Sequence, residues 1–176
     1  MILYNTLMEY WSDDRRFGLR ISQEEFLKIL SNCAANANQE TGGILIGTYT
    51  DDHHCAEVTI ATIAPPDSGR AHSAFFRGFQ GLTEILKELW KRREYYLGEW
   101  HFHPFASPNP SHTDQAQMRI FSETPSYHCP EPVMLIVGGD PNKKWKVKVF
   151  VFPKGEMIEM RLMEQGKGAN GAGQKL

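Results

Sequence analysis

The stretch Gly98-Glu99-Trp100-His101-Phe102-His103-Pro104, continuing to Pro110-Ser111-His112-Thr113-Asp114, holds the residue types most able to do chemistry. Side chains of a strand alternate between faces, so His101 and His103 point the same way and Phe102 points opposite. Two imidazoles on one face can bind a single Zn²⁺ ion. A third, carboxylate ligand leaves the fourth tetrahedral position to water, which distinguishes a catalytic zinc from a structural one. Asp114 can supply that carboxylate if the proline-rich segment folds back over the strand end. Zinc lowers the pKa of its water to about 7, so a nearby carboxylate can take the proton at neutral pH. The best candidate for this base is Glu40, directly before Thr41-Gly42-Gly43 and an apolar run. Two glycines there allow close backbone approach to a neighbouring strand.

Taken singly, each of these residues has a plainer role. Ser111 and Asp114 fit a helix capping box, a role compatible with ligation because the cap would fix Asp114 near the loop. His101 alone could be a hydrogen-bonded core histidine, and Glu40 alone a solvated residue after a helix. Their coincidence in one short region is what favours chemistry.

The elements that must position them are legible in part. Leu19 to Ile21 closes a short strand, after which Ser22 offers a helix N-cap with Glu25 completing a capping box. Phe26, Ile29, Leu30, Cys33 and Ala37 recur at helical spacing and mark one buried face. Ile44-Leu45-Ile46 predicts a central strand, and Cys55 to Ala64 a second that Pro65-Pro66 ends. Leu82, Ile85, Leu86, Leu89 and Trp90 predict an amphipathic helix. Leu97 to His103 reads as a strand, Pro104 to Pro110 as irregular chain and Thr113 to Phe121 as a short helix. Val133–Val137, Lys146–Phe152 and Met157–Leu162 are further strands. The fold class is mixed α and β, and Gly166 to Leu176, without apolar anchors, reads as a flexible tail after a single domain over 1–164.

Composition bounds the rest. The 176 residues carry 19 Lys and Arg against 21 Asp and Glu, a net charge of −2 that lacks the basic excess of a nucleic-acid binder. With 41% hydrophobic residues a true core is available, and no run approaches the ~18 apolar residues of a membrane span. Met1 to Trp11 does not read as a signal peptide, and three cysteines at 33, 55 and 129 suggest no disulfide framework, so a cytoplasmic location is expected. Of the seven histidines, His53 and His54 fall in a hairpin loop, His112 between Ser111 and Asp114, and His128 in a loop beside Cys129. Glu99 shares the parity of His101 and His103, so a role supporting a ligand or a solvent-facing one is open.

His-x-His, seven residues, Ser, two residues, Asp, filled by His101, His103, Ser111 and Asp114, resembles the JAMM motif of the MPN (JAB/Mov34) metallopeptidases. Upstream, Glu40-Thr-Gly-Gly-Ile-Leu-Ile-Gly47 looks like the family's Glu-containing strand start. The resemblance implies an MPN/JAB, cytidine-deaminase-like fold, a central and mostly antiparallel curved sheet flanked by helices. It implies one Zn²⁺ per chain held by His101, His103 and Asp114, with Glu40 as general acid/base and Ser111 donating to the developing oxyanion. It further implies cleavage of peptide or isopeptide bonds at the C-terminus of a ubiquitin-like or conjugated protein, with neither nucleic acid nor membrane as partner. Phe102 departs from the small residue, often Ser, that many members carry, which should alter packing behind the strand.

In size the chain resembles bacterial JAB peptidases encoded beside E1- and E2-like enzymes, some in cyclic-oligonucleotide antiphage (CBASS) systems, where the peptidase reverses conjugation of the nucleotidyltransferase. Two alternatives are processing of ubiquitin-like sulfur-carrier precursors and a non-catalytic MPN scaffold, the latter opposed by the complete ligand set. The DNA-repair-associated JAB branch typically continues His-Pro-Ser-Gly, whereas this chain reads His103-Pro104-Phe105-Ala106. Asp67–Phe79 and Ser122–Glu131 sit where family members carry substrate-gripping insertions. Phe75, Phe76 and Phe79 could grip an extended tail or anchor their own loop, and both readings stay open.

Overall fold

The computed structural model describes residues 7–70, 75–76 and 81–164. Strand β1 (Leu7–Trp11) pairs antiparallel with β2 (Gly18–Ser22), and Ser22 caps helix α1 (Gln23–Ala35) by accepting from the Glu25 N–H at 3.2 Å. The expected capping box is only half made. The Glu25 carboxylate turns instead to the Ala61 N–H at 2.9 Å, tying α1 to a strand, and to Lys28.

Strand β3 (Thr41–Tyr49) follows, then β4 (Cys55–Ala61), the two-residue strands β5 (Gly69–Arg70) and β6 (Phe75–Phe76), and helix α2 (Leu82–Lys91). Next come β7 (Tyr95–Pro104), α3 (His112–Glu123), β8 (Val133–Gly139), β9 (Trp145–Val151) and β10 (Ile158–Leu162). Phe79 and the tail 165–176 lie outside the described residues, as do the side chains of Phe75 and Phe76.

The class is mixed α and β and the sheet mostly antiparallel as expected, but in place of the expected central curved sheet the strands form a closed barrel in the order β1-β10-β9-β8-β7-β3-β4-β2. Neighbours are antiparallel except β2 with β4 and β7 with β8. Closure depends on β1, which pairs Tyr10 with Leu162. Its sequence, Leu-Met-Glu-Tyr-Trp, has no clean alternation and gives no strand signal.

Two apolar clusters sit on opposite faces of the strands. One gathers Leu45, Leu97, Trp100, Phe102, Leu135 and Val149 with Ile29 and Cys33 of α1. The other gathers Ile44, Ile46, Tyr96, Met134 and Ile136 under Leu89 of α2 and Met118 and Phe121 of α3. Phe102 therefore packs away from the two histidines, fully buried and edge-on to Trp145 at 5.8 Å between ring centroids.

Tyr96 shares a face with Glu99, and Leu97 with Trp100, because β7 slips register. Gly98 faces Leu45 while Tyr96 faces Ile46, so Leu97 is an extra residue. Gly98 takes φ +146°, and a Cβ there would meet the Val133 carbonyl oxygen. Beyond this bulge, Glu99, His101 and His103 line the face that lies under α3.

Candidate metal centre

The site forms where the C-terminal end of β7 meets the start of α3. His101 and His103 come from β7 and Asp114 from the first turn of α3. Asp114 arrives because the segment after Pro104 folds back across the end of β8. The Phe105 N–H donates to the Gly139 carbonyl and the Gly139 N–H to the Ala106 carbonyl, both at 2.9 Å. A side chain at Gly138 would meet the Ala106 oxygen at 2.7 Å and the Pro108 nitrogen at 2.8 Å, so the missing Cβ is what admits the loop.

Potential ligand atoms of His101, His103 and Asp114 lie within 4.8 Å of one another, the residues being 1%, 7% and 6% exposed. His101 Nδ1 is 3.0 Å from Asp114 Oδ1, and His103 Nε2 is 3.6 Å from Asp114 Oδ2. Tetrahedral coordination with bonds of about 2.0–2.1 Å sets donor atoms about 3.4 Å apart, a spacing these two distances bracket. Two nitrogens and one carboxylate suit zinc or a similar divalent ion. The His103 Nδ1–H donates to the Ser107 carbonyl at 3.3 Å, which leaves Nε2 as the nitrogen turned to Asp114.

The electrostatics are those of buried groups that hold one another. Burial opposes charge on the His101 imidazole, but hydrogen bonds from it to Asp114 and Glu99 outweigh burial and raise its pKa. Burial likewise works against the Asp114 carboxylate, and the imidazole of His101 with the Ser111 donors holds it below the usual carboxylate range. Burial, aided by the neighbouring charge of His101, lowers the pKa of His103, which stays neutral. Such concentrated perturbation within a small cluster is characteristic of functional sites.

Ser111 is the N-cap of α3. Its Oγ accepts from the Asp114 N–H at 3.1 Å, and its own N–H donates to Asp114 Oδ2 at 2.7 Å. Both plain and chemical roles are thus open to it, since a hydroxyl that accepts one bond still has its proton to donate. Glu40 is half-buried and stands immediately before β3. The ladder ends with Thr41 facing Phe102, beside Gly42 facing His101, so Glu40 stands just before the end of β3 that lies against the two-histidine stretch of β7.

Glu99 is not solvent-facing. It is fully buried, with Oε2 3.4 Å from His101 Nε2 and Oε1 accepting from the Tyr96 hydroxyl at 3.2 Å. The sequence does not disclose Tyr96 as a neighbour, because on a regular strand residues 96 and 99 face opposite ways. The other described histidines stand apart from the cluster, and His72 lies outside the described residues. His53, His54 and His112 are exposed, and the His128 ring contacts Trp90 at 4.7 Å. All three cysteines are buried free thiols.

The family of prokaryotic homologs of the JAB domain matches residues 22–148, a span holding every residue of this cluster. The chain belongs to this family. A CD-NTase/cGAS isopeptidase of Enterobacter hormaechei is 40% identical over 153 residues, 87% of this chain and 84% of the relative. A second protein of that name, from Pseudomonas aeruginosa, is 30% identical over 65% of this chain and 75% of its own. A probable metalloprotease of Sinorhizobium fredii is 30% identical over 58% and 64% respectively. Among solved structures, a Desulfitobacterium hafniense protein superposes with a TM-score of 0.56 at 18% identity, covering 78% of this chain and 86% of that one, and so shares the fold. As a member of the JAB family, the chain carries, on a JAB-type α/β scaffold, a buried His-His-Asp cluster of a kind that could hold a metal ion.

Proposed function

We propose that this protein is a JAMM-type zinc metallopeptidase that hydrolyses the isopeptide bond between a CD-NTase and its conjugation target, reversing E1/E2-like conjugation in a bacterial antiphage (CBASS) system. The observation that carries the proposal is the buried His101–His103–Asp114 cluster, in a chain 40% identical over 87% of its length to a CD-NTase/cGAS isopeptidase. His101, His103 and Asp114 would hold one zinc ion. When bound, the ion supplies Lewis acidity, polarising the scissile carbonyl and lowering the pKa of the attacking water to about 7.

Glu40 accepts the proton of that water and returns it to the departing amine of the lysine side chain, acting in turn as base and acid. Its place directly before Thr41, which pairs with Phe102 between the two imidazoles, supports this role. Ser111 donates its hydroxyl proton to the oxygen that gains charge, a contribution worth about 3 kcal/mol for an aligned donor. The Ser107 carbonyl keeps His103 in the tautomer that leaves Nε2 unprotonated.

The test is incubation of purified protein with an isopeptide-linked CD-NTase conjugate, with and without chelator, beside Glu40→Ala. Wild type should cleave, chelation should abolish cleavage, and Glu40→Ala should be inactive while binding one equivalent of zinc. Full activity of Glu40→Ala would sink the assigned mechanism. Cleavage confined to ubiquitin-like sulfur-carrier precursors would replace the substrate and leave the chemistry in place.

A further inference from the structure

Buried carboxylates need donors, and the two named here for Glu99 lie on opposite sides of it. The Tyr96 hydroxyl donates to Oε1 at 3.2 Å, and His101 presents Nε2 to Oε2 at 3.4 Å. A carboxylate oxygen is an acceptor, so the Nε2 facing Glu99 is the nitrogen placed to carry a proton, and Nδ1 is the nitrogen left toward Asp114. We infer that Tyr96 and Glu99 are positioning residues for the metal centre: Tyr96 holds Glu99, and Glu99 holds His101 by Nε2 so that Nδ1 is presented to the ion. This rests on the metallopeptidase reading above.

The bulge at Leu97–Gly98 is what makes the arrangement reachable, because it places Tyr96 on the face of Glu99. Tyr96 also meets Phe121 of α3 edge-on, with ring centroids 6.0 Å apart, and Tyr127 at 4.9 Å. One fully buried ring thereby braces both the strand that carries the imidazoles and the helix that carries Asp114. A purely apolar residue at 96 would fill the same space without orienting Glu99. A carboxylate behind a ligating imidazole fixes its tautomer and increases its strength as a donor, and removing such a group typically weakens metal affinity by roughly 10- to 100-fold.

The experiment measures zinc affinity by competition with a chelating indicator for the wild-type chain, Glu99→Gln and Tyr96→Phe. It is paired with the visible spectrum of the cobalt-substituted proteins and thermal unfolding of the metal-free forms. Glu99→Gln should bind zinc roughly 10- to 100-fold more weakly with a shifted cobalt spectrum, and Tyr96→Phe should show a smaller loss in the same direction. A folded Glu99→Gln with wild-type affinity and spectrum would overturn the inference. Should Glu99→Gln fail to fold, Tyr96→Phe decides: weakened binding supports the pair, and wild-type affinity with an unchanged spectrum removes it. A wild-type chain that binds no zinc would overturn the metallopeptidase reading itself, an outcome distinct from zinc binding that ignores residue 99.

Discussion

Ser111 and Asp114 cap each other: the serine hydroxyl accepts from the aspartate N–H at 3.1 Å, and the aspartate carboxylate accepts from the serine N–H at 2.7 Å. The same bonds that start α3 therefore fix the carboxylate that faces the two imidazoles. Folding of the helix end and assembly of the metal site are one event, and residues that secure the loop before Ser111 secure the site as well.

Ser111→Ala removes the cap acceptor and the hydroxyl donor together. Loss of the cap should lower stability by about 1 kcal/mol, read as a fall in the thermal midpoint of the metal-free protein. Loss of the donor should lower the turnover number by roughly 10²- to 10³-fold, far more than the stability change accounts for. Turnover within about twofold of wild type would leave Ser111 as a cap alone.

Gly138→Ala tests the fold-back of the proline-rich loop. Its Cβ would meet the Ala106 carbonyl oxygen and the Pro108 nitrogen, both backbone atoms with little room to move. Overpacking of this kind costs roughly 1–3 kcal/mol. The displaced loop carries the Ser107 carbonyl and leads into Ser111, so zinc affinity should fall with stability. Unchanged affinity and midpoint would show that the loop can shift without moving Asp114.

How far this site was legible in the sequence follows from the range of its constraints. His101 and His103 share a face through strand parity, and Asp114 follows Ser111 at cap spacing, so local patterns suffice for both. The placing of Glu40 beside the histidine end of β7 needs the β3–β7 register, in which Thr41 pairs with Phe102 and which the Thr41-Gly-Gly-Ile-Leu-Ile run only hints at. Barrel closure was hidden, because nothing in Leu7–Trp11 says that its partners are β2 and β10. Tyr96 was hidden for another reason: an extra residue in β7 inverts the parity from which its orientation would be read. Glu25 looked like half of a capping box and serves instead to tie α1 to Ala61, a contact across 36 residues of sequence.

Phe102→Ala separates packing from chemistry. The ring is fully buried against Trp145 on the face opposite the histidines, and truncation of a core phenylalanine costs about 3–5 kcal/mol. Chemical denaturation should show that loss, while the folded fraction binds zinc with wild-type stoichiometry. Loss of zinc from the folded variant would mean that Phe102 holds the strand in the register the ligands require.

Zinc loading should release a proton, and the pKa shifts say how many and when. Burial disfavours the His101 imidazolium, but Asp114 and Glu99 outweigh it and hold the pKa above the ordinary value near 6.5. That pairing stabilises the metal-free chain fully below the ordinary imidazole pKa and is lost as pH rises through the raised one. The Asp114 pKa is lowered, so its contribution is present above the ordinary carboxylate range and fades only under strong acid. Burial keeps His103 neutral, so it has no proton to give up near neutrality. Between the ordinary and the raised His101 values the ion must therefore displace one proton, not two, and zinc affinity should climb about tenfold per pH unit there. Calorimetric titration with zinc at about pH 7.5, in two buffers of different ionisation enthalpy, should show at least one proton released per ion, that of His101, beside any given up by the metal-bound water. Above the raised value the His101 share of the release should vanish. A count near zero at about pH 7.5 would mean that His101 is already neutral before the metal arrives.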